Sequence, residues 1–158
     1  MNIDNPFETF DEIAFRLEAL PQYIVENEKE AYGKFKLSGE ITNESDSEWE
    51  KLVKANIESG KSMKRLRLLS DELTPYEQFE LLSYPGIGVG EEIRLNGRSL
   101  YQDKYLYDFW FFDNEYITQM NYGVDGTYID SVTRKANDEE KQALIYWMSV
   151  FDDSDLLE

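Results

Sequence analysis

Apolar and polar positions recur with two different periods along this chain, and the switches between them lay out its elements. Phe7, Phe10, Ala14 and Leu17 fall at helical offsets behind Asp4 and Asn5, with Ile13 and Leu20 beside them. They predict a first helix limited by Pro21. Tyr23 to Val25 reads as extended. Ala31, Tyr32 and Phe35 form the inward stripe of a second helix that begins near Glu26 and stops at Gly39, a natural residue for a left-handed C-terminal cap. Residues 40–46 are polar and predict a loop. Ser47 followed by Glu50 is a capping box for a third helix carrying Trp49, Leu52, Val53, Asn56 and Ile57 on one face, with Gly60 at its end.

From Lys61 the period becomes two. Met63, Arg65, Arg67 and Leu69 point one way, and Lys64, Leu66, Leu68 and Ser70 the other. Thr74, Pro75 and Glu77 then give an N-cap, a first-turn proline and a capping box for a helix striped by Tyr76, Phe79 and Leu82, with Leu81 beside them. Residues 83–90 are rich in glycine and predict a loop. In 91–95 Ile93 and Leu95 alternate with Glu92 and Arg94, and Asn96-Gly97 signals a turn. Strands over 108–112, 116–122 and 127–133 follow, joined at Asp113-Asn114 and Asp125-Gly126. Asn137 with Glu140 caps a last helix whose stripe is Leu144, Trp147, Met148 and Phe151. Residues 152–158 form an acidic tail expected to fray. This order predicts an α+β fold: an antiparallel sheet of about five strands with a C-terminal meander, and helices packed mainly on one face. Residues 1–158 are read as a single domain with its folded core at 7–151.

Composition narrows the chemistry. The chain has 158 residues, 41% hydrophobic and 15% aromatic, enough for a real core. Its 33 acids against 16 Lys and Arg give a net charge of −17, a field that repels nucleic acid and anionic membranes. There is no Cys and no His, which excludes thiol and imidazole catalysis and the usual zinc sites. The first residues are acidic and no apolar run approaches a spanning length, so a cytoplasmic protein without membrane contact is expected. Two glycine patterns fail as cofactor motifs. Gly60-Lys61-Ser62 follows a helix and has Ala55 where a phosphate loop needs glycine, while Gly86, Gly88 and Gly90 place Glu91 where a dinucleotide turn needs its third glycine. No cofactor, no metal and no enzymatic activity are expected.

Candidate chemistry concentrates on the basic strand. If Arg65 and Arg67 pair beside Glu92 and Arg94, three guanidiniums and a carboxylate share one surface, with Asp108 and Trp110 nearby. Such forks bind carboxylate or phosphate and stack on indole, which points to an acidic partner or a small anionic ligand. The alternative is a cross-strand salt-bridge ladder on a solvated face, the commoner outcome. Asp108 and Asp113 lie five apart and face opposite ways on one strand, so they form no catalytic pair, and Asp113 reads as a turn residue bonding its own backbone. The aromatic run from Tyr101 through Tyr105 and Tyr107 to Phe112 reads as a core strand plus a partner-facing edge. Glu44, Asp46, Glu48 and Glu50 alternate like a row of phosphates, although the Ser47 cap draws the last two into a helix.

Several short words carry a resemblance. They are Phe15-Arg16-Leu17-Glu18, Lys64-Arg65-Leu66-Arg67-Leu68-Leu69-Ser70, Tyr76 with Phe79-Glu80-Leu81, Gly90-Glu91-Glu92-Ile93-Arg94, Asp108-Phe109-Trp110-Phe111-Phe112-Asp113, and Met120 with Tyr122. In order and spacing the chain resembles, from about Phe7 to Phe151, an uncharacterised bacterial family, domain of unknown function 6879, common in actinobacteria. The resemblance implies an accessory protein often encoded beside helix-turn-helix regulators. Together these features predict a small acidic cytoplasmic non-enzymatic protein acting by protein–protein interaction in a regulatory complex. Its partner would be a helix-turn-helix regulator or another protein, bound through Arg65, Arg67, Glu92, Arg94, Asp108 and Trp110. The alternative is a DNA mimic inhibiting a basic nucleic-acid-binding protein such as a defence nuclease.

Overall fold

A computed structural model describes residues 1–41, 47–84, 89–101 and 108–157. The expectations placed on Glu44, Asp46, Gly86, Gly88, Tyr105 and Tyr107 lie outside the described residues. The elements run α1 (Pro6–Thr9), β1 (Ile13–Glu18), α2 (Lys29–Ser38), α3 (Glu48–Glu58), β2 (Ser62–Leu69), α4 (Pro75–Ser83), β3 (Glu92–Gly97), β4 (Phe109–Phe112), β5 (Tyr116–Tyr122), β6 (Tyr128–Lys135), α5 (Asp138–Asp152) and β7 (Asp155–Leu156). The seven described strands join one sheet in the order β6-β5-β4-β1-β2-β3-β7. Among the described residues no helix is long and apolar enough to cross a membrane.

The sheet is mixed and not the antiparallel sheet of about five strands expected. β2 runs parallel to both β1 and β3, while β4, β5, β6 and β7 pair antiparallel. The difference starts at residues 13–18, where a helix was expected. The helical offsets of Ala14 and Leu17 coexist there with a period of two, Phe15 and Leu17 against Ala14, Arg16 and Glu18. Residues 14–18 are all buried, between β2 on one side and β4 on the other. In the centre of a sheet covered on both faces, the pairing of every backbone group outweighs local propensity. α1 is cut to Pro6–Thr9. The C-terminal tail is not frayed: β7 pairs with β3, and the Leu157 amide donates to the Ile93 carbonyl at 2.9 Å.

Helices cover both faces, not mainly one. On one face Phe15, Leu17, Leu66, Leu68, Phe109 and Phe111 pack against Leu144, Trp147, Val150 and Phe151 of α5. Burial of each such side chain stabilises the fold by about 1.5–3 kcal/mol. On the other face Ala14, Met63, Trp110 and Phe112 meet Phe10 and Val53, with Phe7 and Trp49 packed beside them. Further along, Tyr23, Tyr76 and Phe79 pack with Tyr32 and Phe35 of α2. The helix starts follow their sequence signals. Thr74–Glu77 and Asn137–Glu140 form complete capping boxes, and Ser47 accepts the Glu50 amide. Gly39 closes α2 at φ 71, in the left-handed region expected of it.

Asp113 does more than turn its own chain. With φ 56 it sits in the β4–β5 hairpin beside Asn114 at φ 57, the left-handed pair that a two-residue hairpin requires. Its carboxylate, expected to bond its own backbone, instead accepts the amides of Asp11, Glu12 and Ile13 at 2.7, 2.7 and 3.0 Å, anchoring the start of β1 from 100 residues away. Asp113→Ala removes three charge-assisted bonds at a half-exposed site where water replaces them in part. The expected loss is about 2 kcal/mol in urea denaturation, with Asp113→Asn losing less because it keeps the turn and one acceptor oxygen. Equal losses in the two variants would show that charge, and not acceptor geometry, sets the anchor.

Candidate functional site

The parallel register of β2 and β3 decides which charges meet. Lys64 lies opposite Glu92, Arg65 opposite Ile93 and Leu66 opposite Arg94. Glu92 and Arg94 therefore share the α5 face with Lys64 and Leu66. Arg94 pairs there with Glu92 at 2.7 Å and sits over the Phe151 ring. Arg65, Arg67, Asp108 and Trp110 occupy the opposite face. Of the six residues expected to form one surface, four come together and two do not. The place expected for Glu92 is taken by Glu91.

β1 supplies what the basic strand lacked, because Arg16 and Glu18 point to the same face as Arg65 and Arg67. Arg16 bonds Asp108 at 3.1 Å, the carbonyls of Leu17 and Phe109, and the Tyr122 hydroxyl. Tyr23 donates a short hydrogen bond to the same Asp108 oxygen. Arg65 donates from Nη1 to Glu18 at 2.9 Å and from Nε to Glu91 at 2.8 Å. Its guanidinium carbon lies 5.8, 5.6 and 5.5 Å from the ring centres of Trp49, Tyr84 and Trp110. Arg67 is 0% exposed. It donates from Nε to Glu80 of α4 at 2.5 Å, reaches the Glu18 and Leu68 carbonyls from Nη1, and leaves Nη2 sealed with no partner among the described residues.

Arg16, Glu18, Arg65, Glu80 and Glu91 of this cluster form the floor of a cleft of about 580 Å³ between the sheet and the helices above it. Trp49, Trp110, Tyr76 and Tyr84 stand around it, and Glu28 enters at the rim, accepting the Tyr76 hydroxyl at 2.7 Å. Burial separates the carboxyls. It would raise Glu18, yet Arg65, Arg16 and Arg67 together hold that group down at about 2. Glu80 faces Arg67 more nearly alone, and burial wins, pushing its carboxyl up to about 7. Burial likewise lifts Asp108 above its usual range against the pull of Arg16, and lifts Glu28 despite the bond from Tyr76. Sequence reasoning missed Arg16, Glu18, Glu80 and Glu91 as members of a site. A charged residue at every second position of Phe15-Arg16-Leu17-Glu18 was the available signal. Each word that carried the resemblance sends at least one polar or aromatic side chain into this cluster.

The comparisons with known proteins bear on fold and family. The family model described as Domain of unknown function (DUF6879) matches residues 1–154. No curated protein matches the chain. The structure is similar to the crystal structure of a phospholipase D family member, Nuc, from Salmonella typhimurium, with a TM-score of 0.57 and 9% identity over 98% of this chain and 87% of that one. NucT from Helicobacter pylori aligns at a TM-score of 0.49 and 9% identity, over 99% of this chain and 88% of that one. The likeness is in fold alone and is to a phospholipase D family member; the expected non-enzymatic acidic protein of a regulatory complex, and the DNA mimic offered as its alternative, find no counterpart in it. The arginines meant to dock a partner are moreover at most 12% exposed for Arg65 and 0% for Arg67, each already bound to a carboxylate.

Proposed function

We propose that this chain, which belongs to the family described as Domain of unknown function (DUF6879), is a small-molecule-binding protein whose site is the cleft over β1, β2 and β4. One observation carries this. A ring of buried arginines and carboxylates lies at the bottom of an open, aromatic-walled cleft of about 580 Å³, a size within the usual range for ligand sites. Buried ion pairs seldom add stability over apolar side chains of the same shape, because desolvation offsets their attraction. A core that holds several of them around an accessible cavity is better explained by recognition than by folding. We assign binding to the cleft and no reaction.

Two of the three tryptophans, Trp49 and Trp110, line the cleft, and Trp147 is sealed in the opposite core. Intrinsic fluorescence therefore reports on the site. A panel of nucleosides, amino acids, polyamines and sugar phosphates is expected to contain compounds that perturb the emission and raise the melting temperature. A ligand at a hundred times its dissociation constant adds about 2.7 kcal/mol. The shift is expected to vanish in Trp49→Ala and to persist in Ile145→Ala on the exposed side of α5. A panel that moves neither signal, or compounds that act equally on both variants, would overturn the assignment.

A further inference from the structure

The ligand's chemistry can be read from which polar groups of the cleft are still unengaged. Resting on the cleft being a ligand site, we infer that it takes a small flat organic cation that donates hydrogen bonds, an amidinium or guanidinium group being the simplest form. The arginines argue against an anion. Arg65 is fixed between Glu18 and Glu91, Arg67 by Glu80 and two carbonyls, and Arg16 by Asp108, two carbonyls and a tyrosine. Releasing any of them for a ligand would strand a buried carboxylate, the expensive way to break such a pair.

The carboxylates argue for a cation. Among the described residues two arginines and five glutamates line the cleft, a local excess of negative charge. Glu18, Glu80 and Glu91 are 5%, 6% and 4% exposed, and each binds its arginine through Oε1 alone. Glu28 likewise uses Oε1 for Tyr76. No described residue takes the second oxygen of any of the four, and none of those oxygens is sealed without a partner, as Arg67 Nη2 is. Ionised carboxylate oxygens accept and cannot donate, and a bound cation would itself hold Glu28 and Glu80 ionised against the lift of burial, so the four call for a donor. An anion would face the same oxygens with repulsion.

The walls complete the case. Arg65 already shows how the cleft treats a planar cation: two carboxylates hydrogen-bonded to it, and Trp49, Tyr84 and Trp110 within 5.8 Å of its guanidinium carbon. Aromatic faces with acids at their edges favour a delocalised cation in a partly desolvated site. The cleft offers a second group of the same kind the same type of surroundings.

The test uses three molecules of one shape, benzamidine, benzamide and benzoate, which are cationic, neutral and anionic. Each is titrated by calorimetry and tryptophan fluorescence into the full chain at about 0.15 M salt, where the Debye length of about 8 Å limits the diffuse field of the acidic surface. Benzamidine is expected to bind at least about tenfold more tightly than benzamide, the ratio for one charge-assisted hydrogen bond, and benzoate to bind most weakly. Glu28→Gln keeps the acceptor for Tyr76 and orphans no arginine, so it should fold. It is expected to weaken benzamidine severalfold and leave benzamide unchanged. If benzamide or benzoate binds as tightly as benzamidine, and loses affinity in Trp49→Ala, the cation inference is overturned while the cleft stands as a site. If none of the three binds, the inference is overturned and the compound panel alone judges the cleft. If benzamidine binds but ignores both Glu28→Gln and Trp49→Ala, it sits elsewhere on the acidic surface, and the inference is again overturned.

Discussion

Replacing Arg67 by Ala is expected to destabilise the protein by about 3–5 kcal/mol, the range for removing one partner from a buried ion pair. The guanidinium is fully buried, bonds the Glu80 carboxylate at 2.5 Å, and satisfies the Glu18 and Leu68 carbonyls. Its loss leaves a carboxylate that is 6% exposed without a counter-charge, two carbonyls short of a donor, and a cavity beneath Tyr23. The loss depends on pH. Glu80 is already pushed up to about 7 beside Arg67, so without the arginine it takes up a proton at neutral pH and sheds part of the penalty. Urea denaturation at about pH 8 should therefore show a larger loss than at about pH 6. The double change Arg67→Met with Glu80→Leu removes the charges together, and is expected to recover most of the stability. A single-variant loss below about 1 kcal/mol would mean that the pair is solvated in solution, as exposed pairs are.

That expectation depends on residues whose meeting was only half legible in the chain. Arg65 and Arg67 share a face, as the period of two in 63–69 requires. The meander was legible because its turns carry their own chemistry in Asp113-Asn114 and Asp125-Gly126, and three helix starts because their capping residues lie three apart. What failed was non-local. The register of β3 against β2 shifts no residue's local preference, yet setting Ile93 opposite Arg65 sends Glu92 to the α5 face and leaves Glu91 to reach Arg65. β1 was hidden because buried central strands have apolar residues on both faces, and its two charges looked like helix decoration until Asp108 and Arg65 stood opposite them. Glu80 lies on the buried side of α4, where an acid has no place unless a guanidinium waits beneath it. The site is assembled by topology, and topology is what single-residue periodicity does not encode.

Stability is expected to fall as pH rises from about 5 to about 8, by about 3 kcal/mol from Glu80 alone. The native carboxyl titrates near 7 and its ordinary value is 4.5. Over that window the folded protein holds a proton that the unfolded chain has already released, so raising pH favours unfolding. The advantage is fully present below 4.5 and gone once pH passes about 7. Glu28 and Asp108, also raised by burial, act in the same direction. Glu18 acts oppositely but elsewhere. Its native value of about 2 lies below 4.5, so its contribution is complete above 4.5 and is lost only as pH falls through about 2. The repulsion among charges summing to −17 grows over the same upper range and adds to the fall. Maximum stability is thus placed near pH 5, and urea unfolding at three pH values between about 5 and 8 measures the slope. In Glu80→Gln, which still offers an oxygen to Arg67 but cannot ionise, most of the slope should disappear. A slope unchanged in that variant would trace the pH dependence to the surface and leave Glu80 ionised throughout; stability that rises toward pH 8 would mean that Arg67, and not burial, sets the charge at the bottom of the cleft.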